Sequence, residues 1–424
     1  MPLVHLYRRT SQIITPRYAG SGARQHGSIA VSRAWQSARV AAISPSATLA
    51  MTDRVKQLRA AGQTVIGLAT GTPDFDTPAY IKAAGKAAMD EDRTYIVYTV
   101  SAGLPELRAA IAAKLARDNG LTVGIDDVVV TVGVKEGIFN VAQACLDPGD
   151  EVLVPTPTWV TYDACIRMAG AVPVHVPCRE EDGYRVDPEA LAARVTTRTR
   201  AIMLNSPGNP AGGVLRLQDL QGIAAIAERH DLLVLSDEIY ETMVFGDSRH
   251  ISIATLPGMA QRTVTFNGFS KSYSMTGWRV GYLTGPRAIL RNVLKIHGHS
   301  VTCSPSFAQK AAEVALTGPQ DDLKAYIHTL AQRRDQLLSG LNSIPGIRCS
   351  APDGGIFCFP DISGLGMSDQ ECSLFLLDKA GVSSLPGSAF GPGGEGHLRI
   401  NFARRHAGDI DDALEQIRTA LALR

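Results

Sequence analysis

The chain has 424 residues, 45% hydrophobic and 20% charged, which is enough apolar material for a large core in two or three domains and too much for a disordered chain. Lys and Arg number 42 against 41 Asp and Glu, a net charge of +1, so neither a nucleic acid nor an anionic membrane surface has an electrostatic footprint here. No apolar run reaches the ~20 residues of a membrane span, and seven cysteines without a CxxC pair or partnered histidines suit a reducing compartment rather than disulfides or zinc, so no metal is expected.

Taken in chain order, the first unusual stretch is residues 1–52, with six arginines and no Asp, Glu or Lys before Asp53. Such a composition resembles an organelle transit peptide. The plainer reading is a disordered bacterial extension, or a start codon assigned too early. The expected location is the cytoplasm, with an organelle as the alternative. Residues 104–119 place Pro105 in a first turn, apolar residues at helical spacing and Gly120 after the end, which predicts a helix. A β-branched run at 128–132 predicts a strand, and 135–146 a helix with Ile138, Val141, Ala142 and Cys145 on one face. Short apolar strands are predicted at 151–154, 201–204, 232–235 and 264–266, several of them separated by helical segments. This alternation indicates α/β architecture with a doubly wound, mostly parallel sheet. Beyond about residue 312 the pattern changes to a long amphipathic helix at 321–341, strands at 356–359 and 398–402, and a last helix at 410–421. That predicts a smaller α+β domain. The glycine-rich run 391–396 lacks a strand–turn–helix setting and reads as a loop.

Ligands of open α/β sheets bind beyond the carboxyl ends of the strands, and the odd polar residues fall there. The strand at 201–204 runs into Asn205 and Asn209, that at 232–235 into Asp237 and Tyr240, that at 264–266 into Ser270 and Lys271, and that at 128–132 into Gly133, Val134 and Lys135 at a helix start. A lysine on a strand-to-helix turn can form a Schiff base if its pKa is lowered. A carboxylate ending an apolar strand can pair with a protonated ring nitrogen, and a glycine turn opening a helix offers amides to a phosphate. Ser270 and Arg279 can add phosphate contacts. Together these are the features by which proteins hold pyridoxal 5'-phosphate.

The run 270–282, SKSYSMTGWRVGY, resembles the lysine signature of class I/II aminotransferases. Further blocks in the same order are similar to that family: TGTPDFDTP (70–78), YTVSAGLPELR (98–108), TVGVKEGIFN (131–140), PTPTWVTY (155–162), NSPGNPAGG (205–213), LSDEIY (235–240) and HLRINFA (397–403). The likeness covers residues from about 38 onward and is nearest to the bacterial and plastid branch of aspartate aminotransferases. It implies the pyridoxal-phosphate fold type I, with 76–311 as a large cofactor-binding domain, 38–75 and 312–424 as a small substrate-closing domain, and 1–37 as an extension. Lys271 would carry the cofactor and shuttle the proton, Asp237 would hold the ring nitrogen protonated, and Tyr240 and Asn209 would bond the ring hydroxyl. Trp159 would stack on the ring. Gly133, Val134, Lys135, Ser270 and Arg279 would surround the phosphate. Tyr98 would reach the phosphate of a neighbouring subunit, which implies a homodimer. Arg399 would pair with the substrate α-carboxylate, with Gly71 allowing close approach. In the predicted strand 398–402 the apolar residues alternate with Arg399 and Asn401, which turns Arg399 away from the apolar face and toward an anion.

In that branch a lysine at the position of Lys135 faces the distal carboxylate of dicarboxylic substrates, so the resemblance implies aspartate or glutamate and their 2-oxo acids, turned over by a ping-pong mechanism. Thr72, Thr158 and Ala211 depart from the branch, where glutamate, tyrosine and threonine are usual. An aromatic, prephenate-like or natural-product substrate is therefore an alternative. So is a pyridoxal-phosphate-dependent lyase, which shares every cofactor residue. A ligand-sensing regulator needs a DNA-binding module, for which the N-terminal segment is too short.

Overall fold

The computed structural model describes residues 35–91 and 93–424. The arginine-rich extension expected over 1–37 therefore lies outside the described residues as far as position 34. No helix among the described residues is long and apolar enough to cross a membrane.

Seven strands build the large sheet: β1 (Val128–Thr131), β2 (Glu151–Thr156), β3 (Val172–Pro177), β4 (Thr199–Asn205), β5 (Leu233–Asp237), β6 (Thr263–Gly268) and β7 (Gly281–Thr284). Their order across the sheet is β1-β7-β6-β5-β4-β2-β3. The five strands β3, β2, β4, β5 and β6 run parallel. The interior strand β6 and even the edge strand β1 are buried at every position, as expected when helices cover both faces. β3 lies at an edge, where Pro173 and Pro177 cost no interior ladder bond.

Two features differ from the sequence reading. β3 and β7 were not anticipated, and β7 is antiparallel to both neighbours. The four residues Gly-Tyr-Leu-Thr of β7 carry too little pattern to announce a strand, yet they place the β6–β7 connection, residues 269–280, at the sheet rim. The strand expected at 356–359 shortens to two residues, as given below.

The helices are α1 (Ala47–Ala60), α2 (Ala79–Glu91), α3 (Pro105–Asn119), α4 (Val134–Cys145), α5 (Leu217–Arg229), α6 (Arg287–Ser300), α7 (Ser306–Thr317), α8 (Asp321–Asn342), α9 (Asp369–Ala380) and α10 (Gly408–Ala422), beside shorter turns. Helix α3 begins at Pro105 and stops where Gly120 turns left-handed, φ 68°, as its sequence predicts. A three-stranded antiparallel sheet follows α8, with β8 (Phe357–Cys358), β9 (Leu385–Pro386) and β10 (Leu398–Asn401) in the order β9-β10-β8. Ile66–Gly67 pairs in parallel with Val382–Ser383, and the Asn401 N–H donates to the Leu68 carbonyl at 2.8 Å. The chain ahead of the large sheet is thereby tied to the chain after it. One buried cluster runs from Val152, Phe266 and Leu283 through Leu330 and Leu337 of α8 to Phe357 and Ile400, so residues 38–424 pack as one unit.

Candidate active site

At the end of β1 the chain turns through Gly133 into α4. Gly133 has φ 75°, and a Cβ there would lie 2.6 Å from Arg279 Nη2, so both the backbone and the neighbouring guanidinium demand glycine. Among the described residues no side chain caps the start of α4; the Glu136 N–H donates to the Gly133 carbonyl at 3.2 Å, and the amides ahead of it are left to an external acceptor. Arg279, itself left-handed at φ 56°, donates to the Thr276 carbonyl at 2.9 Å and to the Val132 carbonyl at 3.2 Å. Gly281 starts β7 directly beneath this turn, where a Cβ would sit 2.6 Å from Val134 N.

Lys271 stands in the β6–β7 connection and donates to the Gly71 carbonyl. Burial, with the Arg399 charge next in weight, lowers its amine from an ordinary 10.5 to about 7. Asp237 ends β5 and is 1% exposed. Its Oδ2 accepts from the Tyr162 hydroxyl at 2.7 Å, and its Oδ1 from the Ile239 amide at 3.2 Å. Burial nevertheless raises the carboxyl to about 6. Asn205 at the end of β4 donates to the Asp237 carbonyl at 3.0 Å and accepts from the Asn209 amide at 2.9 Å. Tyr240 is buried, with its ring 5.7 Å from Lys271 Nζ. Trp159 packs edge-on against Tyr162, and Lys135 Nζ lies 5.0 Å from the centre of its ring.

Arg399 stands on the polar face of β10. The alternation along β10 is real, but the polar face does not look outward: Arg399 is 1% exposed. The loop 69–72 covers that face, with Asn401 donating to the Thr70 and Thr72 carbonyls at 2.7 and 3.0 Å. The Arg399 guanidinium lies 4.2 Å from the Phe357 ring and 4.9 Å from the Phe390 ring. It donates to the Ala69 carbonyl at 2.7 Å and to Asn209 Oδ1 at 3.0 Å, while Nε finds no acceptor. Burial lowers its pKa to about 10, so an anion beside it would be strongly stabilising.

All the anticipated residues except Gly133 and Tyr98 line one cavity of about 530 Å³. Gly133 sits just behind its wall, and Tyr98 lies apart with its side chain 84% exposed. Sequence reasoning missed Tyr162, Thr276 and Gly277, as well as Ser46, Thr48 and Leu49 at the start of α1, all of which line the same cavity, as does the strand-end residue Asn205. The signal for Tyr162 was available: it follows Trp159 by three residues in a stretch that becomes the short helix Thr161–Met168, whose first turn brings it under Asp237. Among the described residues no carboxylate lies within ion-pair distance of Lys135, Lys271, Arg279 or Arg399. Lys135, Arg279, Arg399 and the Lys271 amine thus share the cavity with one lining carboxylate, Asp237.

A family model described as "Aminotransferase class I and II" matches residues 63–417. The chain belongs to the class I and II aminotransferases. It is 41% identical over 372 residues to an aspartate aminotransferase of Geobacillus stearothermophilus, covering 86% of this chain and 93% of that one. It is 42% identical over 371 residues to a probable aspartate/prephenate aminotransferase of Aquifex aeolicus, with shares of 86% and 93%. Among solved structures it resembles the aspartate aminotransferase of Rhizobium meliloti, at TM-score 0.86 and 37% identity over 91% of this chain and 98% of that one. It resembles equally the Thermus thermophilus aspartate aminotransferase with maleate, at TM-score 0.86 and 37% identity over 92% and 100%. The aminotransferase fold expected from the sequence is thereby shown.

The lowered amine has a consequence for the cofactor-free aminotransferase. Between about pH 7 and 10 the unfolded chain holds a proton on Lys271 that the folded chain lacks, so this group makes stability rise with pH. Urea unfolding should show the wild type gaining on a Lys271→Met variant from about pH 7 to pH 9. A pH-independent gap between the two would refute the depressed amine.

Proposed function

We propose that this aminotransferase uses pyridoxal 5'-phosphate to move the amino group between aspartate or glutamate and a 2-oxo acid. The observation that carries the reading is the set of unpaired cations around one buried carboxylate. The cofactor phosphate and two substrate carboxylates are the anions such a cavity needs, and a protonated pyridine nitrogen is the cation that Asp237 lacks. The uncapped amides of α4, with Arg279 and Ser270 beside them, fit the phosphate.

When bound, the cofactor supplies an aldehyde that takes up the amino group and a ring that draws off the electron pair of the substrate Cα–H bond. The chain's own residues do the rest. Asp237 holds the proton at the ring nitrogen. Lys271, as a free base near neutral pH, moves the proton at the substrate Cα. Arg399 clamps the α-carboxylate, Asn209 and Tyr240 bond the ring hydroxyl, and Trp159 covers the ring face. Lys135 meets the distal carboxylate at the cavity mouth.

Segments 38–75 and 312–424 act in this reading as the small domain that closes on 76–311, and the bonds linking residues 66–68 to the C-terminal strands support that division. The working unit is a homodimer. Support comes from Tyr98 and the neighbouring Ile96, Val97 and Val100, a set of exposed large side chains on one short stretch that a second copy would cover.

Adding amino acids singly to the cofactor-loaded protein while recording its absorption spectrum tests the assignment. Aspartate or glutamate should discharge the cofactor band, and oxaloacetate or 2-oxoglutarate should restore it. Discharge by phenylalanine but not by aspartate would move the substrate to the aromatic class, which the exposed Thr72 at the cavity wall leaves open. Ammonia release without an acceptor would replace transamination by a lyase reaction.

A further inference from the structure

The glycine turn is held from two sides. Arg279 binds the Val132 carbonyl. On the opposite edge of that residue, Glu136 Oε2 accepts the Val132 N–H at 3.1 Å. Glu136 belongs to the first turn of α4, where a carboxylate suits the helix dipole, but its side chain reaches back out of the helix rather than capping it. Its Oε1 is fixed in turn by His297 Nδ1 of α6 at 3.0 Å and by Asn140 Nδ2 one turn along α4. His297 and Asn140 are wholly buried, so the carboxylate has little freedom to leave Val132. No group placed in the reaction above uses this trio.

We propose that Glu136, oriented by His297 and Asn140, is a positioning residue for the cofactor phosphate: it sets the Val132–Gly133 turn and so aims the first amides of α4. The inference rests on the proposed function, since it needs a phosphate in that cup. Two effects of Glu136 on a bound phosphate oppose one another. As a negative charge near a dianion it weakens binding; as the acceptor that fixes the turn it strengthens it. The network reaches the cup through the backbone, and the two Glu136 oxygens are occupied by three donors, so positioning dominates.

The test compares uptake of pyridoxal 5'-phosphate and of pyridoxal, which lacks the phosphate, by the full-length cofactor-free protein, followed through absorbance. Glu136→Ala should weaken pyridoxal 5'-phosphate about tenfold, as expected for loss of one hydrogen bond to a charged group, and leave pyridoxal within about twofold. Glu136→Gln keeps an acceptor for Val132 without the charge and should restore most of the loss, which also guards against an alanine variant that fails to fold. Equal weakening of both aldehydes, or unchanged or tighter phosphate-dependent binding in Glu136→Ala, would overturn the positioning role. If the wild type takes up neither aldehyde, the proposed function falls and this inference with it.

Discussion

Replacing Lys271 with alanine is expected to slow turnover by about 10²–10⁴-fold, the range lost when a positioned acid–base group is deleted, while the protein still folds and still binds the cofactor. The side chain is poised for two tasks by one environment. Burial and the neighbouring Arg399 bring its amine to about 7, where it is both a nucleophile and a proton acceptor at neutral pH. An alanine leaves the phosphate cup, Asp237 and Arg399 in place, so cofactor affinity should suffer far less than rate. Single-turnover absorbance with aspartate measures the rate, and equilibrium dialysis measures retention. Turnover within about tenfold of wild type would take the amine out of the reaction.

Asp237→Asn should be the next most damaging change, slowing the half-reaction with aspartate by on the order of 10²–10³-fold, as when a preorganised electrostatic group is lost. The substitution keeps size and can keep the hydrogen bond from the Ile239 amide. What it removes is a carboxylate able to hold a proton on the ring nitrogen. Burial raises the carboxyl to about 6 despite the hydrogen bonds it accepts and the Lys271 charge, so pairing with a protonated nitrogen would relieve the cost of burial as well. Cofactor retention should fall in parallel. Stopped-flow mixing reads the rate, and an unchanged rate would separate Asp237 from the ring. Tyr162, whose hydroxyl donates to the same carboxylate, would then need another explanation too.

The parts of this protein legible in its sequence are those where local pattern and site coincide. Buried strands announce themselves as β-branched runs, and the residues just past their ends stand out because Asn209, Asp237 and Lys271 are polar where the core pattern stops. That is why the rim was readable before any coordinates. Pattern fails where a face is covered by chain from far away. Arg399 alternates with apolar neighbours as a solvent-facing residue would, and only the packing of loop 69–72 against β10 turns that face inward. β7 was missed for a different reason: Gly281-Tyr282-Leu283-Thr284 lacks the β-branched run that marks β1, and Gly281 is there because the glycine turn passes within contact of it. The Glu136–His297 contact spans two helices, and nothing in the spacing of the two residues foretells it.

The site is assembled from both sides of the large sheet's stretch of chain, and this has a consequence for biosynthesis. Lys271, Asp237 and the Gly133 turn have all been translated by the time β7 leaves the ribosome, whereas Arg399 waits for β10. The single buried core needs α8 and β10 to close, so a growing polypeptide completes the cavity only when its last stretch is made.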